Sequence, residues 1–390
     1  MRHKNSVFHA ILANVPWGLF DRLVARHQAD KHIRTLSTKT QLVALLFGQL
    51  AGIASLQAVV SSFSGHARRL YHLGVRPVKK STLADANKQR PSAVFAELFT
   101  ALVQRSHASL RHGIGECVYL IDATTVRLNQ LSKDWARFSA GVCGAKVHVV
   151  YDPDADCPIY AAITAERTND ITAAQARPIQ PGATYVFDLG YYDYAWWAKL
   201  DAAGCRIVTR FKSNTPLRPQ TERLIEPGAI ATSSATILSD CTGYLPTRQA
   251  NSRRNPMRQR VREVRVRIET GRILRILTND LEATAEEIAD LYKRRWAIEL
   301  FFRWIKQSLK IRHFIGHSEN AVRIQIAVAL IAFLLLRMAQ IAQVAIHSPL
   351  RFAEAVRTNL MHRKSLDRLL ATDHHTEPPH NIQQMALQWS

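Results

Sequence analysis

The chain predicts an α/β protein with a basic helical region ahead of a sheet, on three observations. Apolar residues recur at helical spacing through residues 1–112, and from Cys117 the period shortens to that of strands. Between these strands lie two stretches with helical pattern, so a sheet of mixed direction covered by helices is expected. The charge is split in the same way: residues 1–112 carry 16 Lys/Arg against 4 Asp/Glu, and residues 113–210 carry 9 against 11.

In the leading region Thr38 and Gln41 have the spacing of a capping box, with Leu42, Leu45, Leu46 and Leu50 behind them. Gly52 marks a break before the stripe Leu56, Val59, Val60 and Phe63. After a turn at Gly74–Pro77 the run Lys79–Leu83 opens another helix, with Thr82 and Asp85 in capping spacing, and Pro91 separates it from Val94, Phe95, Leu98 and Phe99. Short helices with basic entries suit a helix-turn-helix-like DNA reader, and a plain helical bundle fits the pattern equally well. The strands follow as 117–122, 146–151, 159–164, 184–188 and 206–210, with helices at Asp170–Gln175 and Tyr194–Ala203. Residues 211–278 are polar and Arg-rich, with an alternating strand Val264–Ile268 returning through Gly271 to a strand at 272–278. One long helix is expected from about Ala283. The order β-β-β-α-β-α-β, a β-rich insertion and a helix is that of a ribonuclease-H-like catalytic core. The division is therefore 1–112 (helical, DNA-end-binding), 113–345 (catalytic, with insertion 211–278) and 346–390 (helical or polar tail).

A net charge of +21 implies a polyanionic partner, because self-repulsion of that size is otherwise only a cost. Residues 211–278 hold 13 Lys/Arg against 5 Asp/Glu, so two basic blocks flank nearly neutral stretches, as expected of two nucleic-acid-contacting regions around a catalytic body. The five cysteines form no Cys-x-x-Cys pair, which points to a reduced, cytoplasmic protein without structural zinc. The start has no signal-peptide pattern. The longest apolar run, Ile326–Leu336, reads as a buried helix, not a membrane span.

Two aspartates stand at the ends of apolar strands: Asp122 after Val118–Ile121, and Asp188 after Tyr185–Phe187. A carboxylate there is costly unless paired or metal-bound, and strand ends are where open sheets bind ligands. On one helix, Tyr292, Arg295, Glu299 and Lys306 fall within ~60° of one another, so Glu299 sits among cations on a single stripe. Three carboxylates of this kind suit phosphodiester chemistry with two Mg²⁺ ions about 3.5–4 Å apart.

In these residues the chain resembles the DDE transposases of bacterial insertion sequences, specifically the insertion-sequence family 4 group with its Tyr-x2-Arg-x3-Glu-x6-Lys signature. Tyr292-x2-Arg295-x3-Glu299-x6-Lys306 matches without a gap, and Ile121–Thr124, Asp188–Tyr191, Thr209–Lys212 and Ile276–Asn279 are also similar. The resemblance takes in Lys80–Asn87 and spans roughly residues 1–345. It implies that Asp122, Asp188 and Glu299 are the metal-binding catalytic triad, holding two Mg²⁺ that Mn²⁺ can replace. It implies that Tyr292, Arg295 and Lys306 hold element-end phosphates, and that the partners are inverted-repeat DNA, target DNA and a second copy of the chain in the DNA complex. A nucleoid-associated bacterial protein follows. Some members stack a flipped base on a tryptophan of the insertion, whereas residues 211–278 contain only Phe211 and Tyr244 as aromatics.

Beyond the signature, Arg210 and Lys212 leave a strand near the site and are expected to contact DNA. Lys146 and His148 share a strand face and could reach phosphate; a surface position is the more ordinary reading for His148. The nine arginines of Arg253–Arg275 favour phosphate contact over a solvated strand face. Asp152, Asp154 and Asp156 form an acidic turn, since Cys157 stands where a calcium loop needs glycine. Trp196 and Trp197 are expected to pack a helix on the sheet, and His374, His375 and His380 to lie in a tail. Two rivals to the transposase reading are a nuclease that cuts without joining and a non-catalytic DNA-binding protein.

Overall fold

A computed structural model describes residues 5–110, 117–139, 142–225, 235–248, 254–308, 316–343, 348–366 and 369. The leading region is helical: α1 Val7–Leu12, α2 Trp17–Arg26, α3 Thr38–Leu50, α4 Leu56–Gly65, α5 Ala67–Leu70, α6 Lys80–Gln89 and α7 Ala93–Leu110. The caps differ from the sequence reading. Ser37 caps α3 by accepting the Thr40 N–H, one residue before Thr38. α6 starts at Lys80, within the run expected to open it, but no side chain caps it and Thr82 lies inside the helix. Gly52 and Gly74 both take the left-handed conformation (φ +67° each) and end their helical segments as expected.

The sheet comprises β1 Val118–Leu128, β2 Arg137–Ser139, β3 Val142–Asp152, β4 Cys157–Ala165, β5 Thr184–Phe187, β6 Arg206–Arg210, β7 Arg218–Glu222, β8 Ala235–Tyr244, β9 Val261–Ile268 and β10 Ile273–Thr278. Short helices α8 Lys133–Ala136 and α9 Asp170–Gln175 and the longer α10 Tyr194–Ala202 lie between them. Strands run in the order β3-β1-β5-β6-β10-β9-β8-β7, with β2 and β4 on the far side of β3. β1, β5 and β6 are mutually parallel, and β3 runs antiparallel to β1 and β4. The insertion β7–β10 extends the same sheet, because β10 pairs antiparallel with β6.

Alternate residues of a strand face opposite sides of the sheet, and the core divides accordingly. Val118, Leu120, Val147 and Val149 join the larger core, under α12 (Trp296–Ser308). Tyr119, Ile121 and Val150 join a second core with Tyr185, Phe187, Trp196 and Trp197 under α10. Trp197 donates its indole N–H to Tyr191 O at 3.1 Å, so the tryptophan pair does fix a helix on the sheet.

The single long helix expected after Ala283 is two: α11 Ala285–Arg294 and α12, meeting at Arg295. The Arg295 N–H bonds Tyr292 O and the Ile298 N–H bonds Arg295 O, both short i to i+3 bonds. No proline or glycine causes the break; it lets α11 lie on β6, β9 and β10 while α12 lies on β1.

α13 (Glu319–Ile341) contains the apolar run and is buried along nearly its whole length. It is long and apolar enough to cross a membrane by length and composition, but its face is filled by α3, α6, α7 and α14 (Pro349–Asn359). Phe301 packs between Tyr151 and Phe333, ring centroids 5.0 Å from each, and so joins β3, α12 and α13. At the other end of the chain, the Phe8 N–H bonds Leu360 O at 2.8 Å. The helical body thus draws on both ends of the sequence. His374, His375 and His380 lie outside the described residues.

Candidate active site

Ile121 of β1 registers with Phe187 of the parallel strand β5. The residues that follow each, Asp122 and Asp188, therefore emerge side by side. β1 does not end at Asp122, as the sequence suggested; it runs on to Leu128 because β3 continues to pair with it. Asp188 leaves its strand and caps a short turn, Oδ1 accepting the Gly190 N–H at 2.8 Å.

Glu299 reaches the same place from the first turn of α12. Arg295, at the α11–α12 junction, joins it to the strands: its Nη2 donates to Glu299 Oε1 at 2.6 Å, and its Nη1 lies 3.8 Å from Asp122 Oδ2. Asp122 is pushed up to about 7 by burial, with the charges of Asp188 and Glu299 adding to the rise and Arg295 and the Ala123 N–H opposing it. Asp122 thus feels the charges of both other predicted carboxylates, although 110 residues separate Asp188 from Glu299. Among the described residues, no three His, Cys, Asp or Glu side chains converge closely enough to hold one ion as they stand. Their oxygen donors and mutual repulsion nevertheless fit a hard divalent cation, and the Arg295 guanidinium already brings positive charge to two of them.

Beside the carboxylates, a groove of about 780 Å³ runs between the β9–β10 hairpin and α11–α12. Arg210, Arg272, Tyr292, Arg295 and the exposed Trp296 line it. Tyr292 is buried with its ring under Arg295 (5.7 Å), and burial pushes its hydroxyl up. The Nε atoms of Arg210 and Arg295 are buried without a hydrogen-bond partner among the described residues. Lys306 is half-buried on α12. Lys212 lies 4.4 Å above the Tyr192 ring.

Lys146 is placed elsewhere. It registers with Thr125, so it faces the side of the sheet opposite Asp122, which registers with Val149. Its ammonium donates to Asp170 Oδ1 at 3.0 Å. His148 is not a surface residue as expected: it is 4 % exposed and its Nε2 lies 2.8 Å from Thr164 Oγ1. α9 packs over that face of β3, and its arrival there is not visible in the alternation of β3 itself.

The Arg253–Arg275 block is only partly available to a ligand. Arg262 is buried in a bidentate pair with Asp240 (2.7 Å to each oxygen), and Arg265 and Arg275 share Glu263. The residues missed by sequence reasoning are Asp170 and Gly190 beside Asp188. A carboxylate opening a short helix carries no periodic signal, and the glycine was visible only as part of the Asp188–Tyr191 motif.

Comparison with known proteins gives the same direction. The family model described as the transposase DDE domain matches residues 113–335, and a domain of unknown function matches residues 3–76. A Sinorhizobium fredii protein named as a transposase (y4zB) is 40% identical over 284 residues, covering 73% of this chain and 78% of that protein. A Geobacillus stearothermophilus protein named as the transposase for insertion sequence element IS5377 is 30% identical over 265 residues, 66% of each. The chain belongs to the DDE transposase family, and its function is that of a DNA transposase.

Proposed function

We propose that this transposase has a ribonuclease-H-like core and belongs to the insertion-sequence family 4 group, with Tyr292, Arg295, Glu299 and Lys306 as its signature residues. The order β4-β3-β1-β5-β6, with β3 alone antiparallel to its neighbours, supports the core. The one observation that carries the site is geometric: strand register sets Asp122 beside Asp188, and Arg295 bridges Asp122 to Glu299, a residue distant in sequence.

In this reading Asp122, Asp188 and Glu299 hold two Mg²⁺, with Mn²⁺ as a substitute. Once bound, such a pair activates the attacking oxygen and stabilises the leaving one at a phosphodiester. The chain itself supplies orientation. Arg295 swings between its carboxylates and a phosphate oxygen, Tyr292 supports its guanidinium from below, and Arg210 and Lys306 neutralise neighbouring phosphates, with Lys212 further along the strand. Cleavage at the terminal inverted repeat frees a 3′-hydroxyl, which then attacks target DNA. The helical body would recognise the element end, and two copies would assemble on DNA in the bacterial nucleoid.

The test is a terminal-repeat duplex labelled at its transferred end and mixed with plasmid target and Mg²⁺. Labelled plasmid joined through the 3′ end is the expected product. Nicked duplex with no joined product after complete cleavage would favour a nuclease, and unchanged duplex bound by protein a non-catalytic binder.

A further inference from the structure

The Asp188 turn has a second carboxylate against it. A Cβ on Gly190 would lie 3.0 Å from Asp188 Oδ1 and 3.2 Å from Asp170 Oδ2, so both carboxylates close on the same glycine. Asp170 opens α9 and is held from β3. Lys146 Nζ donates to its Oδ1 at 3.0 Å and to Thr168 O at 3.3 Å, and His148 Nδ1 lies 3.7 Å from Asp170 Oδ1. Two buried polar atoms here lack hydrogen-bond partners among the described residues, His148 Nδ1 and the Tyr191 hydroxyl. The hydroxyl feels Asp122, Asp170 and Asp188 together.

We propose that Lys146 and Asp170 are a positioning pair for Asp188: the ion pair clamps α9 to β3 and so fixes the turn that aims the Asp188 carboxylate. This rests on the reading of Asp188 as a cation ligand. Two donors of the Lys146 ammonium are already engaged, and its strand register turns it away from the groove that holds Arg210 and Arg295. Contact with DNA is a different role for the same lysine.

The two roles predict opposite signs in the full-length protein. Removing a nearby positive charge should by Coulomb's law strengthen cation binding at Asp188. Positioning predicts the reverse: Lys146→Met weakens Mn²⁺ binding about tenfold, read from the spectroscopic signal of free Mn²⁺. Affinity for terminal-repeat DNA, and its salt dependence, should stay as in the wild type. Asp170→Asn should show a similar loss, and the double variant should lose no more than about threefold beyond either single change, because both act through one turn. Asp170→Glu keeps the charge, moves the carboxylate by one methylene and should still weaken Mn²⁺; it serves if Lys146→Met does not fold.

Mn²⁺ binding that is unchanged or tighter in Lys146→Met, or unchanged in Asp170→Glu, overturns the proposal. So does a lower DNA affinity in Lys146→Met with a salt slope reduced by about one, the mark of a lost phosphate contact. Asp188→Asn is measured alongside. If it leaves Mn²⁺ binding intact, the cation-site reading itself fails and takes the positioning role with it; if it abolishes binding while the Lys146 and Asp170 variants do not, only the positioning role fails.

Discussion

Arg262 and Arg295 are both largely withdrawn from solvent, and the difference between them separates a scaffold charge from a working one. Arg262, on the insertion, has 1 % of its side chain exposed and meets Asp240 along two parallel hydrogen bonds. Arg295 keeps 16 % of its side chain exposed on an open groove, holds Glu299 through one nitrogen, and leaves its Nε unpartnered. The first arginine is neutralised by a residue of its own sheet and ties β8 to β9. The second sits between two carboxylates of the proposed site, where we propose that it exchanges one for a phosphate. A count of arginines in the sequence treats them alike; the position of the counter-ion distinguishes them.

The comparison can be broken at both ends. The largest effect is expected at the carboxylates around Arg295. Asp122→Asn and Asp188→Asn each remove a charge but little volume, so end-DNA binding should persist while cleavage falls roughly a thousandfold or more. A gel assay of nicking in Mg²⁺ checks this, and wild-type nicking by either variant would remove that residue from the site.

On the scaffold side, Arg262→Ala leaves Asp240 buried without its partner. Breaking such a pair typically costs ~3–5 kcal/mol, so the melting temperature should drop by several degrees or the protein should fail to accumulate. A melting temperature within a degree of wild type would mean that Asp240 finds another partner.

Arg295→Ala and Lys306→Ala are expected to act on rate. A lost charge-assisted contact costs ~1.5–3 kcal/mol, which slows end cleavage about ten- to 150-fold at saturating DNA. Lys199, exposed on α10, serves as the control for charge alone. Equal slowing by Lys199→Ala would mean that bulk electrostatics suffices. The smallest effect is expected at Arg265, half of whose side chain is exposed. Arg265→Ala should cost no more than ~1 kcal/mol of stability in a denaturant titration, because Glu263 keeps Arg275.

Much of this arrangement was legible in the sequence where local periodicity and chemistry coincide. The strands around Asp122 and Asp188 read clearly because buried parallel strands are near-continuous apolar runs, and α9 and β6 read to the residue. Glu299 stands out in the sequence through its helical spacing to Arg295 and Lys306, although the helix is in fact broken at Arg295. That break depends on where α11 and α12 find separate places on the sheet, which no spacing records. The same limit hid the burial of His148, the Lys146–Asp170 pair and the partner of Arg262, because each depends on a residue from another strand or helix. The cap of α3 falls one residue from the expected position because Ser37, Thr38 and Thr40 are all capping residue types.

Glu299 is the most exacting point of the account, since it comes from a helix 110 residues beyond Asp188 yet is assigned to the same chemistry. The decisive measurement is single-turnover cleavage of a terminal-repeat duplex in Mg²⁺ by Glu299→Gln, at protein concentrations where wild type and variant occupy the DNA equally. Loss of a cation-holding carboxylate should leave full occupancy and no nick over many wild-type half-lives; nicking at the wild-type rate would remove Glu299 from the site.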